Sequence, residues 1–100
     1  MAGRLEGKVA LVTGGGAGGI GGASALAFAR EGARVVICDL DPARGQECLA
    51  QVQAAGAEGL FVATDVTQDD QVRSAVKQAV EKFGALHVLM CSAGGSIPAD

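Results

Sequence analysis

Residues 12–29 read VTGGGAGGIGGASALAFA, with seven glycines between positions 14 and 22, and an acid, Asp39, stands 18 positions after Gly21. Glycine is poor material for a helix or a strand, so a run of it marks a place where the backbone must turn or be approached closely. A turn that ends in a helix leaves amides without intrahelical partners, and those amides together with the helix dipole favour an anion. No Gly-Lys-Ser/Thr follows the run, which excludes a Walker-type loop. Asp39 supplies the complementary chemistry, a carboxylate that accepts hydrogen bonds from sugar hydroxyls and repels a second anion. Its bland reading is a strand end, with Asp41 capping the next helix. No other set of residues offers chemistry. Cys38, Cys48 and Cys91 are odd in number and irregular in spacing, and there is one histidine, His87. Neither a disulfide framework nor a zinc site is expected, and His87 reads as structural.

The elements that must position the glycines and the acid can be read from apolar runs. KVALVT (8–13), ARVVICD (33–39), EGLFVATD (58–65) and LHVLMC (86–91) are short and apolar without strict alternation. That suggests strands covered on both faces, as in a parallel sheet. Helices are expected between them. The first runs from about Gly19 to Glu31, with Ile20, Ala23, Leu26 and Ala27 as its inner face and Gly32 as a stop. The second runs from about Pro42 to Ala55, with Asp41 as N-cap, Pro42 at the first position and Gly56 past the end. Its inner face would be Cys48, Leu49, Val52 and Ala55. The third begins at Thr67 and Asp70, which look like a capping box. It shows Val72, Val76, Ala79, Val80 and Phe83 as one stripe and closes at Gly84.

The order β-α-β-α-β-α-β with right-handed crossovers gives a Rossmann-like parallel sheet of order 3-2-1-4, a three-layer α/β/α arrangement spanning residues 1–100. The first two helices would cover one face and the third the other, leaving the fourth strand as an open apolar edge suited to self-association. The glycine run then sits between first strand and first helix, and Asp39 ends the second strand. This is where a doubly wound sheet binds a dinucleotide, with diphosphate on the glycine turn and adenine-side ribose on the acid. Because Asp39 would repel a 2′-phosphate, NAD is favoured over NADP.

Composition sets the bounds. Hydrophobic residues make up 49% and charged residues 19%, which argues for a folded core. A net charge of −3 with no basic patch argues against nucleic acid or an anionic membrane as partner. No apolar run approaches a membrane span, and the opening MAGRLEGKVALVTGGG is too weakly apolar for a signal peptide. A soluble cytoplasmic protein is expected.

Several of these stretches together resemble the short-chain dehydrogenase/reductase family. KVALVTGGG followed by GIG looks like its first strand and cofactor loop, which implies Gly14, Gly15, Gly16, Gly18, Gly19, Ile20 and Gly21 as cofactor-binding residues. VVICDLD looks like its second strand with the ribose-binding acid, Asp39, and Leu40 beside it. TDVTQDDQV looks like the end of its third strand, implying that Asp65 and Val66 lie along the adenine. FGALHVLMCSAGG looks like its fourth strand and following turn, implying Cys91, Ala93 and Gly94 near the cofactor ribose. The resemblance spans nearly the whole chain but covers only the N-terminal part of a family member. Two departures stand out. Thr13-Gly14 is followed by four residues before Gly19-Ile20-Gly21, where the family has three. The family's Asn-Asn-Ala-Gly is Cys91-Ser92-Ala93-Gly94 here, and a thiol is the weaker hydrogen-bonding group. Read by itself, Cys91 is a small buried hydrophobe.

Family chemistry is hydride transfer between a nicotinamide and an alcohol or carbonyl, with a tyrosine, a lysine and a serine as catalytic groups. The chain has no tyrosine, and its lysines, Lys8, Lys77 and Lys82, lie in the nucleotide-binding half. The catalytic residues are expected beyond Asp100. The leading expectation is an NAD-dependent oxidoreductase represented by its cofactor half, inactive alone, with its substrate unspecified. The alternatives left open are a non-catalytic nucleotide- or partner-binding module and an α/β domain with no ligand.

Overall fold

The computed structural model describes residues 4–14, 20–65 and 67–91. Strands and helices alternate through β1 (Val9–Thr13), α1 (Ile20–Arg30), β2 (Arg34–Asp39), α2 (Pro42–Ala54), β3 (Gly59–Ala63), α3 (Asp69–Phe83) and β4 (Val88–Cys91). Among the described residues the strands form one parallel sheet in the order β3-β2-β1-β4. This is the expected Rossmann-like topology. The register levels the strand ends: Thr13 lies opposite both Cys38 and Cys91, and Asp39 opposite Ala63. All four C-terminal ends therefore meet at one edge.

Burial follows the order of the sheet. Every residue of β1 is buried, as are Val35 to Cys38 of β2, because these central strands have a helix layer on each side. One layer is Ala25 and Ala29 of α1 with Cys48 and Val52 of α2, packed on Ala10, Val12, Val35 and Ile37. The other is Ala75 and Ala79 of α3, packed on Val9, Leu11, Val36, Cys38 and Val62. Each fully buried Leu11 or Ile37 contributes about 1.5–3 kcal/mol through the apolar area it withdraws from water. Outer strands are less covered, and Leu89 of β4 is 53% exposed.

Helix ends largely match their sequence signals. Gly32, Gly56 and Gly84 stop the three helices with φ of 95°, 94° and 87°, the left-handed region that glycine enters without strain. Asp41 caps α2, accepting from the N–H groups of Ala43 and Arg44.

Four expectations are corrected. The inner face of α1 is Gly22, Ala25 and Ala29, while Ala23 and Ala27 are exposed. In IGGASALAFAR apolar residues lie on nearly every side, so periodicity does not choose a face. The sheet chooses it, because small residues let the helix approach closely. In α2 the inner face includes Gly45 and excludes Ala55, which is the exposed C-cap. A Cβ on Gly45 would run into the Phe61 ring of β3. The capping box of α3 does not form: its N-cap is Gln68, with no side-chain cap bond, and Thr67 is engaged elsewhere. Val80, read as part of the α3 stripe, is exposed.

Candidate functional site

The edge where the strands end collects the sequence's candidate residues. Gly14 follows β1 with φ 67°, and its N–H donates to the Cys38 carbonyl at 2.7 Å. A side chain at this φ would be strained, so the first residue of the glycine run turns the chain out of the sheet at a position that calls for glycine. Beside it the buried Thr13 donates from Oγ1 to the Met90 carbonyl at 3.4 Å, a side-chain tie between β1 and β4. Ile20 and Gly21 open α1, and Cys91 ends β4 directly across from Thr13. Gly15, Gly16, Gly18, Gly19, Val66, Ala93 and Gly94 lie outside the described residues.

Asp39 ends β2 at the next position along the edge. Its Oδ1 accepts the Asp41 N–H at 2.9 Å, a two-residue turn that fixes the carboxylate, and its carbonyl accepts the Thr64 N–H at 3.0 Å. Leu40, between the two acids, is 68% exposed, an apolar surface held at the strand ends by an otherwise polar turn. Behind the turn, burial pushes the Cys48 thiol up from its ordinary pKa, and the negative charges of Asp39 and Glu47 push it further. Cys48 is thus held as a buried thiol rather than a nucleophile. Cys38 and Cys48 are both buried. Among the described residues no three of His, Cys, Asp and Glu gather as metal ligands.

Asp65 follows β3, one position past Thr64. Its Oδ1 accepts twice from Thr67, from the N–H at 3.0 Å and the hydroxyl at 2.6 Å. The hydroxyl bond first, then the backbone bond, lowers the Asp65 carboxyl below its ordinary pKa, against a smaller opposing effect of desolvation. The Asp65 N–H donates to Oε1 of Gln71 at 2.8 Å. Sequence reasoning missed Thr13, Thr67 and Gln71. Thr67 had a usable signal, because it stands two residues after a strand-end acid as Asp41 does after Asp39. Gln71 had none, since an exposed glutamine on a helix reads as solvated surface. His87 is structural as expected: its Nδ1 accepts the Val9 N–H at 3.0 Å and its own N–H donates to the Val9 carbonyl, setting β4 against β1.

The parallel sheet of order β3-β2-β1-β4 with its three helices is shared with known proteins. The family model described as short chain dehydrogenase matches residues 8–100. The chain belongs to the short-chain dehydrogenase family. The 2,5-dichloro-2,5-cyclohexadiene-1,4-diol dehydrogenase LinX of Sphingobium indicum is 49% identical over 94 residues, which are 94% of this chain and 37% of that protein. The L-fucose dehydrogenase of Bos taurus is 40% identical over 94 residues, 94% of this chain and 33% of that one. Among solved structures, carveol dehydrogenase from Mycobacterium avium in complex with NAD superposes with a TM-score of 0.87 at 28% identity, covering 93% of this chain and 38% of that one. This short-chain dehydrogenase sequence thus spans about a third of the length of the relatives it matches.

Proposed function

We propose that the edge formed by Gly14, Asp39, Asp65 and Cys91 is the NAD site of an oxidoreductase that transfers a hydride between a nicotinamide and an alcohol or carbonyl. The observation that carries this reading is the joint placement of two acids with fixed rotamers, Asp39 and Asp65, on adjacent strand ends beside a left-handed glycine. The donor and acceptor set fits the cofactor. Asp39 accepts from the vicinal hydroxyls of the adenine-side ribose, Leu40 gives the base an apolar neighbour, and Asp65 accepts from the adenine amino group. Because the Gly14 N–H is already bonded to Cys38, the diphosphate falls to the amides between Gly15 and Gly21, at the start of α1. The bound nicotinamide supplies the hydride acceptor or donor. What this chain's residues do is hold the nucleotide and select its ribose. The 100 residues contain no tyrosine, so the general acid of the family's chemistry is not among them, and this stretch acts as the cofactor half of the enzyme.

Calorimetry with NAD and NADP tests the reading. Charge-assisted hydrogen bonds contribute about 1.5–3 kcal/mol, so Asp39→Ala is expected to weaken NAD binding by about tenfold or more and to erase most of the preference over NADP. Equal affinity for the two cofactors in the unmutated protein would overturn it. The exposed Leu89 on β4 favours a second reading beside the first, a partner or a second copy seated on this edge. Sedimentation would check it, with Leu89→Lys expected to abolish any association.

A further inference from the structure

Asp65 is held by four hydrogen bonds at the strand-end edge. Its carboxylate accepts from the Thr67 hydroxyl and N–H, its carbonyl accepts the Gln68 N–H at 3.0 Å, and its own N–H donates to Oε1 of Gln71. Only the last of these bonds comes from a side chain outside the turn. Gln71 lies in the first turn of α3, a helix whose start has no side-chain cap, and it reaches back six residues to the strand end. On the opposite side Thr64, the preceding residue, is bonded to the Asp39 carbonyl and buried. The peptide that enters Thr64 is therefore held by β2 and the next one, between Thr64 and Asp65, by α3, so the backbone that carries the Asp65 carboxylate is set between the two elements.

We propose that Gln71 is a positioning residue for adenine recognition, acting through the Asp65 backbone N–H to aim the Asp65 carboxylate at the base. This rests on the nucleotide-site reading given above. Without the Gln71 carbonyl oxygen, the Asp65 N–H turns to water and Asp65 keeps only the bonds of its own turn, to Thr67 and Gln68. The bond is exposed, so folding loses little. Recognition loses more, because a binding group must be held within about 0.5 Å of its working position. The loss falls on the base rather than on the ribose or the diphosphate, since Asp39 is fixed separately by the Asp41 N–H.

Adenine carries an amino donor where hypoxanthine carries a carbonyl, so the affinity ratio of ADP-ribose to its hypoxanthine counterpart reads the aim of the carboxylate. Calorimetry on the wild type, Gln71→Ala and Gln71→Glu supplies the test. Gln71→Ala is expected to lower that ratio about three- to tenfold, the effect of one hydrogen bond. Gln71→Glu keeps an oxygen acceptor for the Asp65 N–H and is expected to restore most of the ratio, a rescue that a purely structural role would not produce. Amide exchange at Asp65, slow in the wild type and fast in Gln71→Ala, reads the strap without any ligand. An unchanged ratio in Gln71→Ala with ADP-ribose still bound, or fast exchange in the wild type, overturns the role of Gln71 alone. Failure of the wild type to bind ADP-ribose removes the nucleotide site and this inference with it.

Discussion

The two turns that leave β2 and β3 begin alike and end differently. In each, an aspartate at the strand end accepts the N–H of the residue two positions on, Asp39 from Asp41 and Asp65 from Thr67. The difference lies in that second residue. A carboxylate only accepts, so Asp41 turns forward and caps α2 through the N–H groups of Ala43 and Arg44. A hydroxyl also donates, so Thr67 turns back onto Asp65, and α3 starts one residue later than α2 does after its turn, at an N-cap, Gln68, that makes no side-chain cap bond. One turn spends its polar groups starting a helix, and the other uses them to fix an acid. The helix then adds to that hold, through Gln71 and the Asp65 N–H. A local motif therefore does not have one outcome. Whether its second side chain can donate decides which neighbour it serves.

Breaking the packing behind the first turn should have the largest effect on stability. Gly45 lets α2 lie against Phe61 of β3, and an added methyl would meet that ring. Overpacking typically costs about 1–3 kcal/mol and a helical Gly→Ala change returns up to about 1. Gly45→Ala is thus expected to be less stable than the wild type by about 1–2 kcal/mol in urea unfolding, although helix propensity alone predicts the opposite sign.

Asp41→Ala should remove the cap of α2 and lower stability by about 1 kcal/mol. Gln68→Ala, at the N-cap of α3, should change it by less than about 0.5 kcal/mol, because no cap bond is lost there and the one side-chain bond that is, from Nε2 to Thr67 Oγ1 at 3.5 Å, is long and exposed. Equal effects of the two substitutions in the same unfolding assay would erase the contrast between the turns.

The smallest effect concerns pH. Asp65 has its pKa lowered in the folded protein by Thr67, so the unfolded chain binds the proton more readily than the folded one. The stabilisation is fully present above the ordinary carboxylate value of about 3.9 and is lost as pH falls through the lower folded value. Thr67→Val should therefore melt slightly below the wild type at neutral pH, with the gap closing below about pH 4. A gap that persists at low pH would show that Thr67 stabilises the fold by another route.

Much of this was legible in the residues. Alternating apolar runs gave the sheet order, glycines marked the three helix stops, and Asp41-Pro42 marked the start of α2. These signals are local, and the physics that makes them is satisfied within a few residues. The same holds for Asp39 as a strand-end acid following a glycine turn. Thr67 was misread for the same reason. Its spacing to Asp70 fits a capping box, and its spacing to Asp65 fits the strand-end turn that the structure adopts.

The sequence by itself determined the succession of elements, the place of the glycine turn and the acids that border it, because periodicity, capping and turn chemistry act along the chain. The tertiary structure alone decided which side of the nearly uniformly apolar α1 turned inward, that Gly45 had to be bare beneath Phe61, and that His87 would clasp Val9 across 78 positions of sequence. It also decided that a surface glutamine would hold Asp65. Each of these depends on the distance between groups on different elements, a quantity fixed only when the sheet and its helices have packed.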